Sequence, residues 1–512
     1  MRDLIELIYR LPWARLQASP VWNVILPPGT KMARLFSLVQ ESADLTEEGI
    51  AHQIYGTREA LPRLRSLKNK TKERLLRAIF LLAPDEIGFS DRQEAYYECQ
   101  RRWALALMLS HKELFSVAVE QLELVLRHAQ HFEFTELAMS IALHLKRHYR
   151  IFMGNTQKYR YYQQLYRDYR ALWLLENEAE ERYADAINAL AHTTASQGEL
   201  MRIVEKHFRQ VEPYLKTHTS FRLHLNGRLL HILVHSSRHD YQTVAKLCED
   251  ALTFFQSKPF RSCLPLQVFY YQLTVAYIHL RDFGRGRAVL QQHSNLYIQG
   301  SFNWYKVQEL HFLLATHTQH YDEAFDVCQS VLREENFLKQ PPQIRDTWKV
   351  YEAYAQLLAC TRRADRLPNP QFRISKLIND LSSSPRERRE IHIPLFIAQM
   401  LFLILNKRYD AAIDRIDALS KYTDRYVRKN ERFRSNCFLK MLLQIPKAAF
   451  HRRVAMRKAQ YYRNMLSQMP VEIANRSSEI EIIPYEDLWE MVLDMLPQER
   501  PSYLSKKARR QD

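Results

Sequence analysis

Residues 276–290 read Ala276-Tyr-Ile-His-Leu-Arg-Asp-Phe-Gly-Arg-Gly-Arg-Ala-Val-Leu290. An apolar helical pattern ends near Leu280, two polar residues follow, and a second helical pattern begins at Phe283. In the second pattern a small residue stands three positions after the aromatic residue and an apolar residue stands seven positions after it. Offsets of three and seven place all three side chains on one helix face. The segment therefore predicts a helix, a short turn and a second helix.

The same pattern recurs along the chain at steps of 38 to 46 residues. We call the eight aligned positions repeat starts. They are Phe115, Tyr159, Leu200, Tyr241, Phe283, Tyr321, Arg363 and Tyr409. Leu200 and Arg363 are placed mainly by spacing, whereas the others also carry an aromatic residue. A recurrence near 40 residues in a helical sequence predicts stacked helical hairpins, which form an extended surface rather than a buried pocket.

Two of these segments, Ala276–Phe283 and Tyr321-Asp-Glu-Ala-Phe-Asp-Val-Cys328, resemble the turn and second helix of tetratricopeptide repeats (TPR). The resemblance covers about residues 97–469. It implies an all-α fold, a right-handed TPR-like superhelical solenoid of stacked helical hairpins, and a surface that binds proteins or peptides. The chain departs from the family in its average step of 42 residues rather than about 34, and in bulky residues where the family has a glycine, such as Phe312.

Three regions are expected along the chain. Residues 1–84 form a small helical N-terminal module, which ends at a break over Pro84–Phe89 and is followed by a capping box at Ser90-Asp-Arg-Gln93. Residues 85–470 form the repeat array, with a break near 365–385 where two prolines precede the helix start Ser384-Pro-Arg-Glu387. Residues 471–512 form a C-terminal segment that caps the array through an apolar patch, and a basic tail.

Composition narrows the class of protein. Only 10 of the 512 residues are glycine, which favours helices joined by short turns over sheets and phosphate-binding loops. The six cysteines show no C-x-x-C pair and are expected to be reduced, in a cytoplasmic protein. No secretory signal is visible. The most apolar run, Ile393–Leu405, is too short to span a membrane.

The sequence carries no recognisable catalytic or cofactor motif. It has no H-E-x-x-H, G-x-S-x-G or Walker A pattern. The pairs His144/His148 and His235/His239 could each share a helix face, but the residues between them supply no acidic ligand for zinc. We therefore expect a non-enzymatic protein without metal or cofactor.

The net charge of +17 is concentrated in two clusters. The first, residues 58–77, has eight basic and two acidic residues. Its apolar stripe is Leu64, Leu67, Leu75 and Ala78, and its candidate contacts on the other side are Arg63, Lys70, Arg74 and Arg77. It follows Thr46–Gly56, which weakly resembles the first helix and turn of a helix-turn-helix. Two interpretations remain open: a recognition helix that binds phosphates, or a solvated amphipathic helix that packs the module onto the array.

The second cluster, residues 421–463, has thirteen basic and two acidic residues. Its candidate contacts are Arg425, Arg428, Lys429, Arg432, Arg452, Arg453, Arg457 and Lys458. Tyrosine and phenylalanine residues lie between them, a composition that suits single-stranded nucleic acid. The alternative is internal, because residues 471–499 have eight acidic residues and one basic residue. The basic helices could instead bind this acidic segment of the same chain.

The sequence thus leaves several functions open. The leading hypothesis is a non-enzymatic scaffold that binds a protein or peptide on the repeat surface. The alternative is a nucleic-acid-binding transcriptional regulator, because a basic N-terminal module before a TPR-like array resembles bacterial peptide-responsive regulators. A third is adsorption to acidic membranes without a spanning helix. The partner and the oligomeric state do not follow from the sequence.

Overall fold

The computed structural model describes residues 2–11, 13–41, 46–82, 91–192, 197–379, 381, 389–422, 434–468 and 481–498. Over these residues every regular element is a helix, and no strand occurs. The all-α prediction is therefore confirmed for this part of the chain. No helix in it has the length and apolar character needed to span a membrane, and the six cysteines, all of them described, form no disulfide.

The chain divides into two compact units. Unit 1 comprises Met1–Glu178 together with Ser220–Leu223 and Ser257–Ser262. Unit 2 comprises Ala179–Thr219, His224–Gln256 and Cys263–Asp512. The predicted boundaries near residues 84 and 470 lie outside the described residues.

Unit 1 begins with an N-terminal group of helices and continues into helical hairpins. Its helices are α1 (Arg2–Arg10), α2 (Ala14–Ala18), α3 (Trp22–Ile25), α4 (Lys31–Glu41), α5 (Glu47–Tyr55), α6 (Leu61–Ala78), α7 (Asp91–His111), α8 (Phe115–His131), α9 (Thr135–Ile151) and the first part of α10 (Thr156–His192). Helix α7 begins at Asp91, directly after the predicted cap Ser90, which itself is not described.

The N-terminal helices share one apolar core. Leu4 of α1, Phe36 of α4, Ile50 of α5 and Leu64 of α6 are all buried in it. The entry to α5 is capped by Thr46, whose hydroxyl accepts the Gly49 amide hydrogen at 3.1 Å. Helices α1, α4, α5 and α6 pack against one another. The apolar stripe of α6 is buried in this N-terminal core, whereas the amphipathic-helix interpretation expected it to pack the module onto the array.

Arg92 and its neighbours bind the two short segments Ser220–Leu223 and Ser257–Ser262 to the rest of unit 1. Its guanidinium donates hydrogen bonds to the carbonyl oxygens of Phe132 (3.0 Å) and Glu133 (3.2 Å). It also lies over the Phe221 ring at 3.9 Å, and Lys258 pairs with Glu133 at 2.6 Å. Burial lowers the pKa of Arg92 to about 10, so the side chain stays charged at neutral pH and its interactions with π faces and carbonyls persist.

Unit 2 contains the longer run of hairpins. Its helices are the remainder of α10, then α11 (Gln197–Thr217), α12 (Phe221–Ser237, from His224 onward), α13 (Tyr241–Gln256), α14 (Cys263–His279), α15 (Phe283–His293), α16 (Phe302–His317), α17 (Tyr321–Leu332), α18 (Pro342–Cys360), α19 (Ile374–Asn379), α20 (Arg389–Leu405), α21 (Tyr409–Tyr422), α22 (Arg434–Leu442), α23 (Gln444–Lys447), α24 (Arg452–Gln468) and α25 (Tyr485–Met495). Helices α13 to α18 each pack on the next one along the chain, and α18, α20 and α21 continue the series.

The repeat starts coincide with helix starts. Helices α8, α13, α15, α17 and α21 begin at Phe115, Tyr241, Phe283, Tyr321 and Tyr409, which are the five positions with the full pattern. Two further repeat starts, Tyr159 and Leu200, lie in the first turn of α10 and α11. The helical hairpin prediction is confirmed at these positions.

The repeat start predicted at Arg363 is wrong. Helix α18 ends at Cys360, and no further helix begins until Ile374. Pro368 and Pro370 lie in the interval, and proline removes an amide donor and disfavours helix in the residue before it. The predicted helix start at Ser384–Glu387 lies outside the described residues.

The hairpin turns use left-handed residues that are not glycine. The φ angle is positive at Glu113, His239, Arg281, Gln319 and Lys407, each two residues before a repeat start. In the turn before Phe283, the Asp282 amide donates to the Tyr277 carbonyl oxygen at 2.9 Å, which closes the end of α14. The chain therefore makes tight turns with few glycines, at the cost of strain at each such residue.

The small residue after each repeat start is buried where two helices pack closely. Ala118, Ala324 and Ala412 are essentially inaccessible, and Gly286 is buried as well. A methyl group on Gly286 would lie 3.3 Å from Leu314 and 3.5 Å from Tyr277 Cβ. The latter belongs to the preceding helix, α14, so α14 and α15 approach each other closely at Gly286.

Candidate functional site

Helix α6 carries the first basic cluster on an exposed face. Arg63, Lys70, Arg74 and Arg77 are all exposed, whereas the predicted stripe Leu64, Leu67, Leu75 and Ala78 is buried. Arg74 also donates a hydrogen bond to the Ile25 carbonyl oxygen at 3.1 Å. No ion pair joins these four cations to an acid among the described residues, so they remain available to an external anion.

Two other lysines of α6 form ion pairs with acidic residues of unit 1. Lys72 pairs with Asp3 at 3.0 Å, and Lys68 lies 3.7 Å from Glu47. The hydrogen bond from Lys72 holds the pKa of Asp3 below its ordinary value. The helix therefore divides its cations between structural pairs and a solvent-facing surface.

Four of the eight candidate contacts of the second basic cluster lie on α24, and the other four are not described. Arg425, Arg428, Lys429 and Arg432 lie outside the described residues. On α24, Arg453, Arg457 and Lys458 are exposed, while Arg452 pairs with Asp494 at 3.0 Å. The interleaved aromatic residues do not form one surface, because Phe438 is buried and stacks on Tyr485 at 4.6 Å.

Acidic residues of the C-terminal segment form ion pairs with basic residues of α24. Glu490 pairs with Arg463 at 2.8 Å, and Asp494 also binds Arg363. Asp487 accepts a hydrogen bond from Gln319 at 3.1 Å. We name residues 481–498 the C-terminal strap. These charge pairs correspond to the alternative in which the second basic cluster binds the acidic C-terminal segment of the same chain.

Arg434 forms the buried centre of this interaction. Its guanidinium binds Glu481 and Glu486 and donates to the Leu466 carbonyl oxygen at 2.7 Å. Burial opposes the charged forms: it acts to lower the pKa of Arg434 and raises the pKa of Glu481. The two carboxylates outweigh it at Arg434, whose pKa lies above its ordinary value. Because a guanidinium does not deprotonate at neutral pH, we assign the pair as ionised.

The strap is also held through its backbone. His317 Nε2 donates to the Glu481 carbonyl oxygen at 2.6 Å, and the Thr316 hydroxyl donates to the Ile482 carbonyl oxygen. Ile482 and Ile483 are buried beside these hydrogen bonds. Carbonyl oxygens, apolar side chains and carboxylates of the strap therefore all take part in its packing on unit 2.

The strap does not act only at the end of the array. It also contacts the turns after α16 and α18, where Gln319 binds Asp487 and Arg363 binds Asp494. The apolar patch that predicted a cap is buried at Ile482, Ile483, Trp489, Val492 and Leu493, while Ile480 is not described. It belongs to the same core as α16, α18, α20 and α22.

Histidines at helix ends pack on repeat starts. The distance between ring centroids is 4.4 Å for Tyr241 and His279, 5.8 Å for Phe283 and His317, and 5.6 Å for Phe115 and His148. Burial lowers the pKa of His279 to about 3 and that of His317 to about 4. These imidazoles are neutral packing groups at physiological pH.

No group of three potential metal ligands occurs among the described residues. Of the histidine pairs considered from the sequence, His148 packs on Phe115, and His235 hydrogen-bonds Asp240 at 3.0 Å. Sequence reasoning missed His317 and Thr316 as binding residues. The signal was present, since His279 and His317 both stand four residues before a repeat start, but their partner is distant in the chain.

No protein-family model matches this chain, and no curated protein or solved structure matches it significantly.

Proposed function

We propose that this chain is a non-enzymatic scaffold that binds an acidic protein or peptide segment on its helical repeat array. In this proposal the hairpins form a right-handed TPR-like superhelix in the cytoplasm. The observation that supports it is the strap: unit 2 already binds a short non-helical segment of its own chain, Glu481–Pro484, through backbone carbonyl oxygens and the Glu481 carboxylate.

The chemistry of that interaction suits peptide recognition. Hydrogen bonds to carbonyl oxygens, here from His317 and Thr316, are independent of peptide sequence, while pockets and charges select side chains. Arg434 selects a carboxylate at the first position of the segment. A partner segment of the same class, an acidic residue followed by branched apolar residues, fits these donors.

A cleavage experiment tests whether the array is a peptide-binding surface. A protease site is placed within residues 471–480 of the full chain, and the cut protein is mixed with a fluorescent peptide copying Glu481–Gln498. We expect the peptide to exchange with the cut strap and to become immobilised in an anisotropy assay. A scrambled peptide of the same composition is the matched control.

Array variants locate the binding. Arg434→Leu is expected to weaken retention of the labelled peptide, because it removes the buried partner of Glu481. Arg453→Ala removes an exposed cation of α24 and is expected to leave retention unchanged. Equal binding of the scrambled peptide, or no exchange under conditions where the cut protein stays helical, would refute peptide recognition by this surface.

The biological partner is sought with the uncut chain. Affinity purification from lysate at several salt concentrations, followed by cross-linking mass spectrometry, is expected to retrieve a protein with an acidic segment cross-linked to unit 2. If no specific protein is retained at any salt concentration, the scaffold proposal fails.

A second candidate function, nucleic-acid binding, is supported by α6. Its four exposed cations lie on one helix and have no acidic partner among the described residues. Replacing Arg63, Lys70, Arg74 and Arg77 with alanine should abolish retention on DNA at moderate salt. It should also reduce the slope of log affinity against log salt by about 0.9 for each phosphate that the variant no longer binds.

The matched control removes similar charge elsewhere. Arg453, Arg457 and Lys458 of α24 are also exposed, and their replacement by alanine separates the two clusters. Protein purified at low salt should show an absorbance ratio at 260 and 280 nm that falls after a high-salt wash. If the wild-type chain is not retained on DNA, the nucleic-acid function is excluded.

A further inference from the structure

Unit 1 exposes large apolar side chains where its hairpins turn. Helix α7 ends and α8 begins at one such turn, and α9 ends beside it, because Phe152 stacks on Phe115 with ring centroids 4.5 Å apart. We name six residues the apolar edge: Met108, Leu114, Val117, Ile151, Phe152 and Met153. Their exposed fractions lie between 45% and 69%. Apolar side chains exposed in a contiguous group mark an interaction surface rather than ordinary surface composition.

The apolar edge is bordered by cations. Lys112, Arg147, Arg150 and Arg160 are exposed, and no ion pair joins them to an acid among the described residues. Residues 146–170, which include three of these cations, contain seven basic residues and one acidic residue. The edge therefore combines exposed apolar groups with a positive border.

Acidic groups near the edge are few. Glu113 is exposed in the turn between α7 and α8, and Glu120 is exposed on α8, three residues after Val117. Glu123 of α8 is held by Tyr149 and Tyr162, with hydrogen bonds of 3.0 Å each, and lies 3.4 Å from Lys158. These pairs leave Arg147, Arg150 and Arg160 as the excess positive charge beside the apolar residues.

We propose that this edge docks unit 1 onto an anionic lipid bilayer. The apolar side chains enter the interface between head groups and acyl chains, and the cations bind anionic head groups. Met108, Ile151 and Met153 are each more than 60% exposed at the ends of helices. Such protruding residues fit a deformable bilayer surface, whereas a peptide ligand is normally held in a groove with partly covered walls. This docking does not depend on peptide binding by unit 2.

Sedimentation with vesicles tests the docking in the full chain. We expect the wild-type protein to sediment with phosphatidylcholine vesicles that contain about one third phosphatidylserine, and to stay in solution with pure phosphatidylcholine vesicles. The variant M108S/I151S/M153S should bind the anionic vesicles at least roughly tenfold more weakly, because three inserting side chains are removed. Phe152 is left unchanged, since it packs on Phe115.

A control variant makes the same chemical change elsewhere. Ile298, Leu338 and Leu367 of unit 2 are exposed apolar residues, and I298S/L338S/L367S should sediment like the wild type. A second variant, R147Q/R150Q/R160Q, should no longer bind even though its apolar residues are intact. Circular dichroism checks that all variants remain helical.

Several results would overturn the proposal. Absence of wild-type sedimentation with anionic vesicles would exclude it, and so would equal sedimentation with neutral vesicles. If replacing Arg63, Lys70 and Arg77 abolishes binding while M108S/I151S/M153S retains it, adsorption occurs through α6 instead. If the wild type does not sediment but self-associates, and M108S/I151S/M153S is monomeric, the edge binds a second copy of the chain rather than lipid.

Discussion

His317 donates a hydrogen bond from Nε2 to the Glu481 carbonyl oxygen at 2.6 Å, across more than 160 residues of chain. The ring also packs on Phe283. His279 occupies the equivalent position of the preceding repeat and packs on Tyr241. Neither nitrogen of His279 has a hydrogen-bond partner. Of these two equivalent histidines, His317 therefore forms a hydrogen bond to the strap, whereas His279 forms none.

This difference predicts opposite effects of one substitution. His279→Phe keeps an aromatic ring beside Tyr241 and removes two buried polar atoms without partners, so we expect a gain of about 1–2 kcal/mol in the free energy of unfolding. His317→Phe leaves the Glu481 carbonyl oxygen without its donor and should cost about 1–3 kcal/mol. Urea unfolding of both variants at neutral pH provides the measurement. A change of the same sign in both would contradict the assignment.

The same histidines predict a decrease in stability in mild acid. Their folded-state pKa values, about 3 for His279 and about 4 for His317, lie below the ordinary value of 6.5. Below pH 6.5 the unfolded chain therefore binds protons that the folded chain does not. The stabilisation is complete above pH 6.5 and decreases as the pH falls toward 4. At about pH 5 the decrease amounts to roughly 2 kcal/mol for each histidine.

Urea unfolding at several pH values between about 5 and 7 measures this dependence, because most carboxyl groups titrate at lower pH. His279→Phe should remove one of the two contributions and make the curve shallower. An unchanged slope in that variant would show that His279 is accessible to protons in the folded chain.

The buried charge pair predicts a large effect at Arg434. Arg434→Leu leaves Glu481 buried without its cation and should destabilise unit 2 by about 3–5 kcal/mol. The double variant Arg434→Leu/Glu481→Leu should recover part of that stability, since no buried charge then remains at position 481. Arg453→Ala, at an exposed position of α24, should change stability by less than about 0.5 kcal/mol. Additive effects of the two leucine substitutions would argue against the pair.

The close packing at Gly286 predicts intolerance of larger side chains. Gly286→Leu must displace Leu314 or α14, and should destabilise the chain by about 1–3 kcal/mol. Gly284→Leu is the matched control in the same helix, because nothing lies within 4 Å of its added methyl group. The control should be neutral or stabilising by up to about 1 kcal/mol. Thermal unfolding distinguishes them, and equal melting temperatures would show that α15 is not closely packed against α14 and α16 at this position.

Because the turn residues have a left-handed backbone conformation, we expect glycine at such a position to stabilise the folded chain. Lys407 has φ 55°, and Lys407→Gly should stabilise the chain by about 1 kcal/mol because glycine has no Cβ to strain that conformation. Arg408→Gly changes the next residue, which does not have positive φ, and should bring no gain. A lower melting temperature for Lys407→Gly would mean that flexibility of the unfolded chain outweighs the relief of strain.

Helix starts were predictable wherever the pattern was local. At Phe283 an aromatic residue, a small residue and an apolar residue lie within two helical turns, and these positions alone specify a buried face. At Arg363 only the spacing supported the prediction. No helix begins there, and two prolines, Pro368 and Pro370, lie in the interval before the next helix. Of the two repeat starts that were placed mainly by spacing, Leu200 lies in the first turn of α11 and Arg363 lies in no helix, so spacing without a local pattern predicted one helix start of two.

The candidate site was only partly predictable. The exposed face of α6 follows from the helical spacing of Arg63, Lys70, Arg74 and Arg77 against a leucine stripe. The charge balance of the C-terminal region suggested an internal partner for the second cluster. It could not identify Arg434 as the buried member, because burial depends on which helices pack around it.

Local order along the chain was thus enough for the helical class, the hairpin repeat and the amphipathic basic helix, since each depends on side chains within a few helical turns. The folded structure alone decided that His317 binds the Glu481 carbonyl oxygen and that Arg434 is enclosed by the strap. It also decided that Phe152 stacks on Phe115 at an exposed apolar edge. These interactions join residues that the sequence separates by tens to more than a hundred positions, and no local periodicity encodes such pairings.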